Sequence, residues 1–180
     1  MFLNPKKAIE EGWLKGISEE FIQPNAVDIP VNALYRISHD SPFYLLQDNK
    51  IHRQRKQVKV RKFSMATPVD LQDTDLWRLD PGTYDYVSDA YVEMPENTVG
   101  WIITRSTLNR NGVFVISGLY DSGFKGHLNG TIYVISGTTY IQPGSRVGQF
   151  LMAESDSEGL YAGGYNTSQG EMPKQIQETV

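Results

Sequence analysis

The sequence predicts an all-β protein, a barrel or jelly roll, with one short helix at its N-terminus. Two observations carry this. Short runs rich in Val, Ile, Tyr and Thr recur through the chain, and turn signals such as Pro81-Gly82, Met94-Pro-Glu-Asn97 and Pro143-Gly144 separate them. Helical spacing is found in one stretch near the start. The 180 residues are read as a single domain, 1–180, with no internal repeat.

In chain order, Asn4-Pro5 reads as an N-cap followed by proline at the first helical position. Ile9, Trp13 and Leu14 then share one face, and Gly16 is expected to close the helix. Val27, Ile29 and Val31 alternate as a strand, in which Pro30 marks an edge or an irregularity. Lys50 to Lys62 is basic, and within it 57–63 alternates as a strand with one wet face. A solvated strand face is the first reading of this stretch, and a patch that steers polyanions the second. Thr83–Val92, Val99–Thr104, Gly112–Ile116, Thr131–Ile135 and Arg146–Met152 are further strands. From Glu154 the chain turns to Gly, Ser, Asn and Gln, and 154–180 is expected to be a mobile tail.

Composition narrows the function. The net charge of −4 argues against binding duplex nucleic acid. There is no cysteine, which excludes disulfides and thiolate metal sites. No apolar run approaches the ~18 residues of a membrane span, and the start does not read as a signal peptide. A cytoplasmic location follows as the default. His39, His52 and His127 are dispersed, without the spacing of a zinc site, and neither a Walker loop nor a nucleophile elbow occurs.

Phosphate binding is one chemistry that local segments could support. Thr104-Arg-Ser-Thr-Leu-Asn-Arg-Asn-Gly112 supplies two arginines and several hydroxyls, a phosphate cradle or an ordinary charged turn. Between Asn97 and Ala153, 57 residues, one carboxylate occurs: Asp121. It lies in a glycine-flanked turn, where an Asp that bonds its own backbone is a common alternative. Pro143-Gly-Ser-Arg-Val-Gly-Gln149 and Gly163-Gly-Tyr-Asn-Thr-Ser-Gln-Gly170 are weaker signals of the same kind.

Taken in order, these segments resemble the superfamily of trimeric dUTPases and dCTP deaminases over nearly the whole chain. Ile22-Gln-Pro-Asn-Ala-Val-Asp-Ile29 is similar to its first motif and Arg105-Ser-Thr-Leu108 to its second. Gly118-Leu-Tyr-Asp-Ser-Gly-Phe-Lys-Gly126 is similar to the third, 141–150 to the fourth and 163–168 to the fifth. The opening helix and the segment from Leu79 to Trp101 resemble the deaminase branch more closely.

The resemblance implies a distorted jelly roll (β-clip) that assembles as a homotrimer with active sites at its interfaces. It implies a pyrimidine deoxynucleoside triphosphate as ligand, with Mg²⁺ on its phosphates; charge and hydropathy lead to the expectation of no nucleic-acid or membrane partner. It makes Asp121 the water-activating base, with Arg105, Ser106, Thr107 and Arg110 holding phosphates. Gln149 stands at the metal–phosphate shell and Phe124 against the deoxyribose. Tyr165 covers the base, Thr167 and Ser168 reach the phosphates, and Asp28 supports the site. Deaminases also carry a Glu on the strand after the third motif, and Thr131 occupies that place here. The implied reaction is therefore dUTP diphosphatase chemistry.

Three departures keep other readings open. The hairpin before Asp121 is shorter than usual, Phe124 replaces a tyrosine, and Tyr161-Ala162 replaces the fifth-motif arginine, a role open to Lys174. The alternatives are a diphosphatase for dCTP or a modified pyrimidine triphosphate, a dCTP deaminase, and a catalytically degenerate nucleotide sensor or partner-binding member.

Overall fold

The computed structural model describes residues 1–63, 73–177 and 179. Among these, helix α1 (Pro5–Glu10) leads into strands β1 (Leu14–Lys15), β2 (Val27–Pro30) and β3 (Ala33–Ile37). Four short strands follow: β4 (Tyr44–Leu45), β5 (Lys50–Ile51), β6 (Arg55–Gln57) and β7 (Arg61–Lys62). Then come β8 (Asp75–Leu79), β9 (Gly82–Glu93), β10 (Thr98–Thr104), the helical turn α2 (Ser106–Asn109), β11 (Val113–Ile116) and β12 (Lys125–Val134). β13 (Thr139–Ile141), β14 (Arg146–Glu154) and helix α3 (Lys174–Gln177) complete the chain.

Among the described residues all strand pairings are antiparallel. The main sheet runs β11-β12-β9-β3-β6, with β1 added at the end of β9. A second sheet runs β10-β14-β2 and a third β13-β8-β7, while β4 and β5 form a separate hairpin. The fold is all-β as expected, and its sheets do not close into a barrel.

β9 is central, and alternation sorts its side chains. Tyr84 and Tyr86 face the principal core with Leu34, Leu128, Ile132 and Phe150. Val87 faces the other way, into a smaller cluster with Tyr35 and Ile176 of α3. Within the segment expected to be a mobile tail, Ile176 therefore lies against the outer face of the main sheet, while Tyr161 and Tyr165 pack against the principal core. Positions 178 and 180 of that tail fall outside the described residues.

Two local readings shift. Asn4 caps α1 through the Lys6 amide at 3.0 Å, but the helix ends at Glu10, and Gly12 rather than Gly16 follows it at positive φ. Leu14 leaves the helix because it pairs with Val92 as an edge strand. The strand expected over 57–63 is broken. β6 pairs with β3 whereas β7 pairs with β8, so the chain changes sheets between them.

Candidate active site

Asp28 lies on β2, whose residues are all buried. Its carboxylate meets Arg105 Nη2 and Arg146 Nη1, each at 3.3 Å, and accepts from Gln149 Nε2 at 3.0 Å and Gln23 Nε2 at 3.5 Å. Arg105 also donates from Nη1 to the Arg146 carbonyl at 3.1 Å. First, second and fourth motifs thus converge on one buried acid. Both arginines remain partly exposed, so their forks can meet an anion while Asp28 holds them from behind.

Arg146 escaped the sequence reading for a definable reason. Strict alternation puts positions three apart on opposite faces of a strand. β14 slips register against β2 between Arg146 and Gly148, and this bulge swings Arg146 to the side of Gln149.

Asp121 stands elsewhere. It follows Tyr120, is exposed, and its carboxylate makes no hydrogen bond or ion pair with the described residues. Its neighbours are tightly placed. Ser122 is buried and exchanges bonds with Thr98 backbone atoms at 3.1 and 2.8 Å, and Gly123 takes φ 77°. Phe124 packs edge-on against Tyr120 and Tyr161, with centroids 5.3 and 5.5 Å apart. Burial and, secondarily, the charge of Asp121 raise the Tyr161 hydroxyl above its ordinary value. Burial likewise pushes Tyr120 up, opposed by its bond to the Asn129 carbonyl at 2.7 Å.

Beside Asp121 opens a cavity of about 440 Å³, within the usual range for a small-ligand site. Phe124, Tyr161, Tyr165 and Thr167 line it, together with Asp85, Arg55 and Thr131. Lys50 bonds the Tyr165 hydroxyl and sits 4.0 Å from that ring's centroid. Thr167 is buried, its N–H bonded to the Lys125 carbonyl at 3.0 Å. Ser168 is exposed, its N–H held by Glu171 at 2.7 Å.

The structure thus sorts the expected residues into groups. Asp28, Arg105 and Gln149 form one, and Phe124, Tyr165 and Thr167 line the cavity beside Asp121. Ser106, Thr107 and Arg110 are exposed on and after α2, and none of the Asp28 group lines the cavity.

Asp85 and Arg55 were also missed. Asp85 lies directly opposite Thr131 in the β9–β12 pairing and accepts its hydroxyl at 3.2 Å. A carboxylate therefore does stand beside the place where a deaminase carries Glu, supplied by the neighbouring strand instead of β12. Its other oxygen is bonded by Arg55 Nε. Arg55 belongs to the basic stretch read as a solvated face. That reading describes Lys56, Lys59, Arg61 and Lys62, which are exposed, but not Arg55, which turns inward.

Among the described residues no three His, Asp or Glu side chains gather as a metal cage. Beside the cavity Asp121 is a single unengaged carboxylate, and one such donor suits a cation carried mainly by phosphates and water.

The family model for dCTP deaminase-like proteins matches residues 5–155. The chain belongs to this family, within the dUTPase and dCTP deaminase superfamily. A probable deoxyuridine 5′-triphosphate nucleotidohydrolase of Halobacterium salinarum is 32% identical over 149 residues, covering 83% of this chain and 85% of that protein. A dCTP deaminase of Pyrobaculum islandicum is 32% identical over 89 residues, 48% of this chain and 49% of that protein. The crystal structure of 2′-deoxycytidine 5′-triphosphate deaminase from Agrobacterium tumefaciens shares the fold, with a TM-score of 0.61 at 13% identity. That match covers 84% of this chain, which spans about half (47%) of the other structure. The deaminase-like match takes in the candidate cavity except for its tail residues.

Proposed function

We propose that the protein is a pyrimidine deoxynucleoside triphosphate diphosphatase acting on dUTP, with Asp121 as its general base. One observation carries the choice of base. Among Asp28, Asp85 and Asp121, the first two are buried with both oxygens engaged, while Asp121 is exposed and unengaged. A general base needs a lone pair within reach of water, and only Asp121 offers one. It takes a proton from water as the water oxygen attacks the α-phosphorus; the α–β bridging bond breaks, and pyrophosphate leaves. Names of relatives such as the Halobacterium salinarum protein support this substrate.

Arg105, backed by Asp28, holds phosphate oxygens beside Ser106, Thr107 and Arg110. Gln149 gives its amide nitrogen to Asp28, which leaves its carbonyl oxygen for water on a phosphate-bound Mg²⁺. That ion would offset the charge growing on the leaving pyrophosphate. Phe124 supports the deoxyribose and Tyr165 covers the base, with Thr167 and Ser168 next along the tail for the phosphates.

The complete site requires a second copy, and a homotrimer supplies one at each interface. Separation of the Asp28 group from the cavity supports this, as does β11. Its inner residues Val113 and Val115 are buried, and its outer residues Phe114 and Ile116 are apolar yet exposed. An exposed apolar strip of this kind fits a subunit contact.

A second reading, dCTP deamination, is favoured by Asp85 beside Thr131. Against it, Arg55 and the Thr131 hydroxyl occupy both carboxylate oxygens. The test is Asp121→Asn assayed with dUTP and Mg²⁺. Pyrophosphate release is expected to fall at least about a hundredfold, with analogue binding retained. Undiminished turnover would overturn the assignment.

A further inference from the structure

We propose that Asp85, held by Arg55, sets the hydrogen-bond polarity of Thr131 and thereby decides which pyrimidine the cavity accepts. The inference rests on reading the cavity as the base site.

A hydroxyl has one proton to give and two lone pairs, whereas an ionised carboxylate only accepts. Thr131 Oγ1 spends its proton on Asp85 Oδ1 at 3.2 Å. Toward the cavity it can therefore only accept.

The carboxylate cannot turn away to release that proton. Arg55 Nε bonds its other oxygen, and the two side chains are each 9% exposed. Arg55 is itself anchored: Nη1 donates to the Arg53 carbonyl at 2.8 Å and to Thr179 Oγ1 at 3.1 Å, and its backbone N–H donates to the Thr179 carbonyl at 3.0 Å. A buried charge of this kind persists because its partner offsets the cost of desolvation. The three side chains come from β6, β9 and β12, adjacent to one another or to β3 in the main sheet, so the backbone fixes their spacing.

An acceptor-only hydroxyl has to discriminate between the two common pyrimidines. Uracil offers N–H at ring position 3 and a carbonyl at 4, while cytosine offers a bare nitrogen at 3 and an amino group at 4. The polarity is reversed at both positions. Whichever of the two faces Thr131, one base presents a donor and the other a repelling lone pair. A polar site left facing the wrong partner loses affinity steeply, which makes Thr131 the discriminating contact. Asp85 and Arg55 act through it as positioning residues.

The test uses the full-length protein and α,β-imido analogues of dUTP and dCTP, which bind without turnover. Calorimetry measures the ratio of their affinities for the unaltered protein, Thr131→Ser, Thr131→Val and Asp85→Asn. The unaltered protein is expected to prefer one base by about tenfold or more. Thr131→Ser keeps that ratio, and Thr131→Val, which has the same shape without the hydroxyl, brings it within about threefold of unity. Asp85→Asn can donate its amide to Thr131 and free the hydroxyl proton for the cavity, so the ratio shifts about tenfold toward the other base. Should Asp85→Asn fail to fold, the two Thr131 variants carry the test. An unaltered ratio in Thr131→Val, or failure of both analogues to bind the unaltered protein, overturns the proposal. If the ratios change as expected but dUTP yields no pyrophosphate, the polarity device stands and the diphosphatase reading falls.

Discussion

Replacing Asp28 by Asn tests the cluster that unites three of the motifs. The change keeps volume and shape but removes the charge facing Arg105 and Arg146, each 3.3 Å away. A fully buried ion pair that loses one partner costs ~3–5 kcal/mol. A fully exposed pair contributes ~0–1 kcal/mol. Here the acid is 1% exposed, but the arginines are 28% and 38% exposed, and water can re-solvate them once the acid is gone. The expected loss therefore lies between the two limits, at about 2–3 kcal/mol. For a domain of this size that lowers Tm by roughly 4–12 °C. Adding Arg105→Gln to Asp28→Asn removes one of the stranded cations, so the double variant should be less destabilised than the sum of the singles, by about 1 kcal/mol. Urea denaturation followed by tryptophan fluorescence measures all of these. A single Asp28→Asn variant within about 0.5 kcal/mol of the unaltered protein would refute the idea that Asp28 is the keystone of the arginine pair.

Gly130→Ala should destabilise by more than about 3 kcal/mol or abolish folding. A Cβ there would come within 2.3 Å of the Ile116 carbonyl oxygen and 3.1 Å of the Tyr86 ring, and the first contact is backbone that cannot yield cheaply. Urea melts check this. Above about pH 10 stability should fall, because burial raises the Tyr86 and Tyr120 hydroxyls. The unfolded chain loses those protons from about pH 10 while the native state keeps them, so each tyrosine lowers stability by up to ~1.4 kcal/mol per pH unit above that point. The Tyr86 hydroxyl has no hydrogen-bond partner among the described residues, so Tyr86→Phe should leave neutral-pH stability unchanged or improved while lessening the alkaline loss. If the proposed interface site is right, mixing Asp121→Asn subunits with Arg105→Ala subunits should restore diphosphatase activity that neither has alone, because a mixed interface would pair an intact Asp121 with an intact Arg105. No recovery after demonstrated subunit exchange would place both residues' roles within one copy.

Much of the fold was legible in the sequence where one physical signal dominated. β9, β10 and β14 are rich in strand-forming residues and each begins just after a Pro-containing turn, and the structure places them within a residue or two of expectation. Signals failed where two effects competed. Helical spacing carried α1 to Gly16, yet edge pairing with Val92 claimed Leu14 first. The 57–63 run alternates well, but alternation does not say which sheet a strand joins.

The site was legible as a set of motifs and illegible as an arrangement. Asp28, Arg105 and Gln149 were named, but only the β14 bulge reveals that Arg146 completes them. The acid beside Thr131 was sought on β12, where the family resemblance placed it. Asp85 sits 46 positions earlier and reaches Thr131 through cross-strand register, which local sequence does not encode. Arg55 was hidden by its neighbours, since a cation within a basic run looks solvated until a buried carboxylate faces it.

Attack on phosphorus, and not on the pyrimidine ring, distinguishes the proposed reaction from deamination. It is tested most directly by incubating dUTP and dCTP separately with enzyme in excess and Mg²⁺, and measuring pyrophosphate and ammonia in the same samples. The expected result is pyrophosphate from dUTP, no ammonia from either nucleotide, and loss of pyrophosphate in Asp121→Asn. Ammonia released from dCTP, or dUTP left intact, would contradict it.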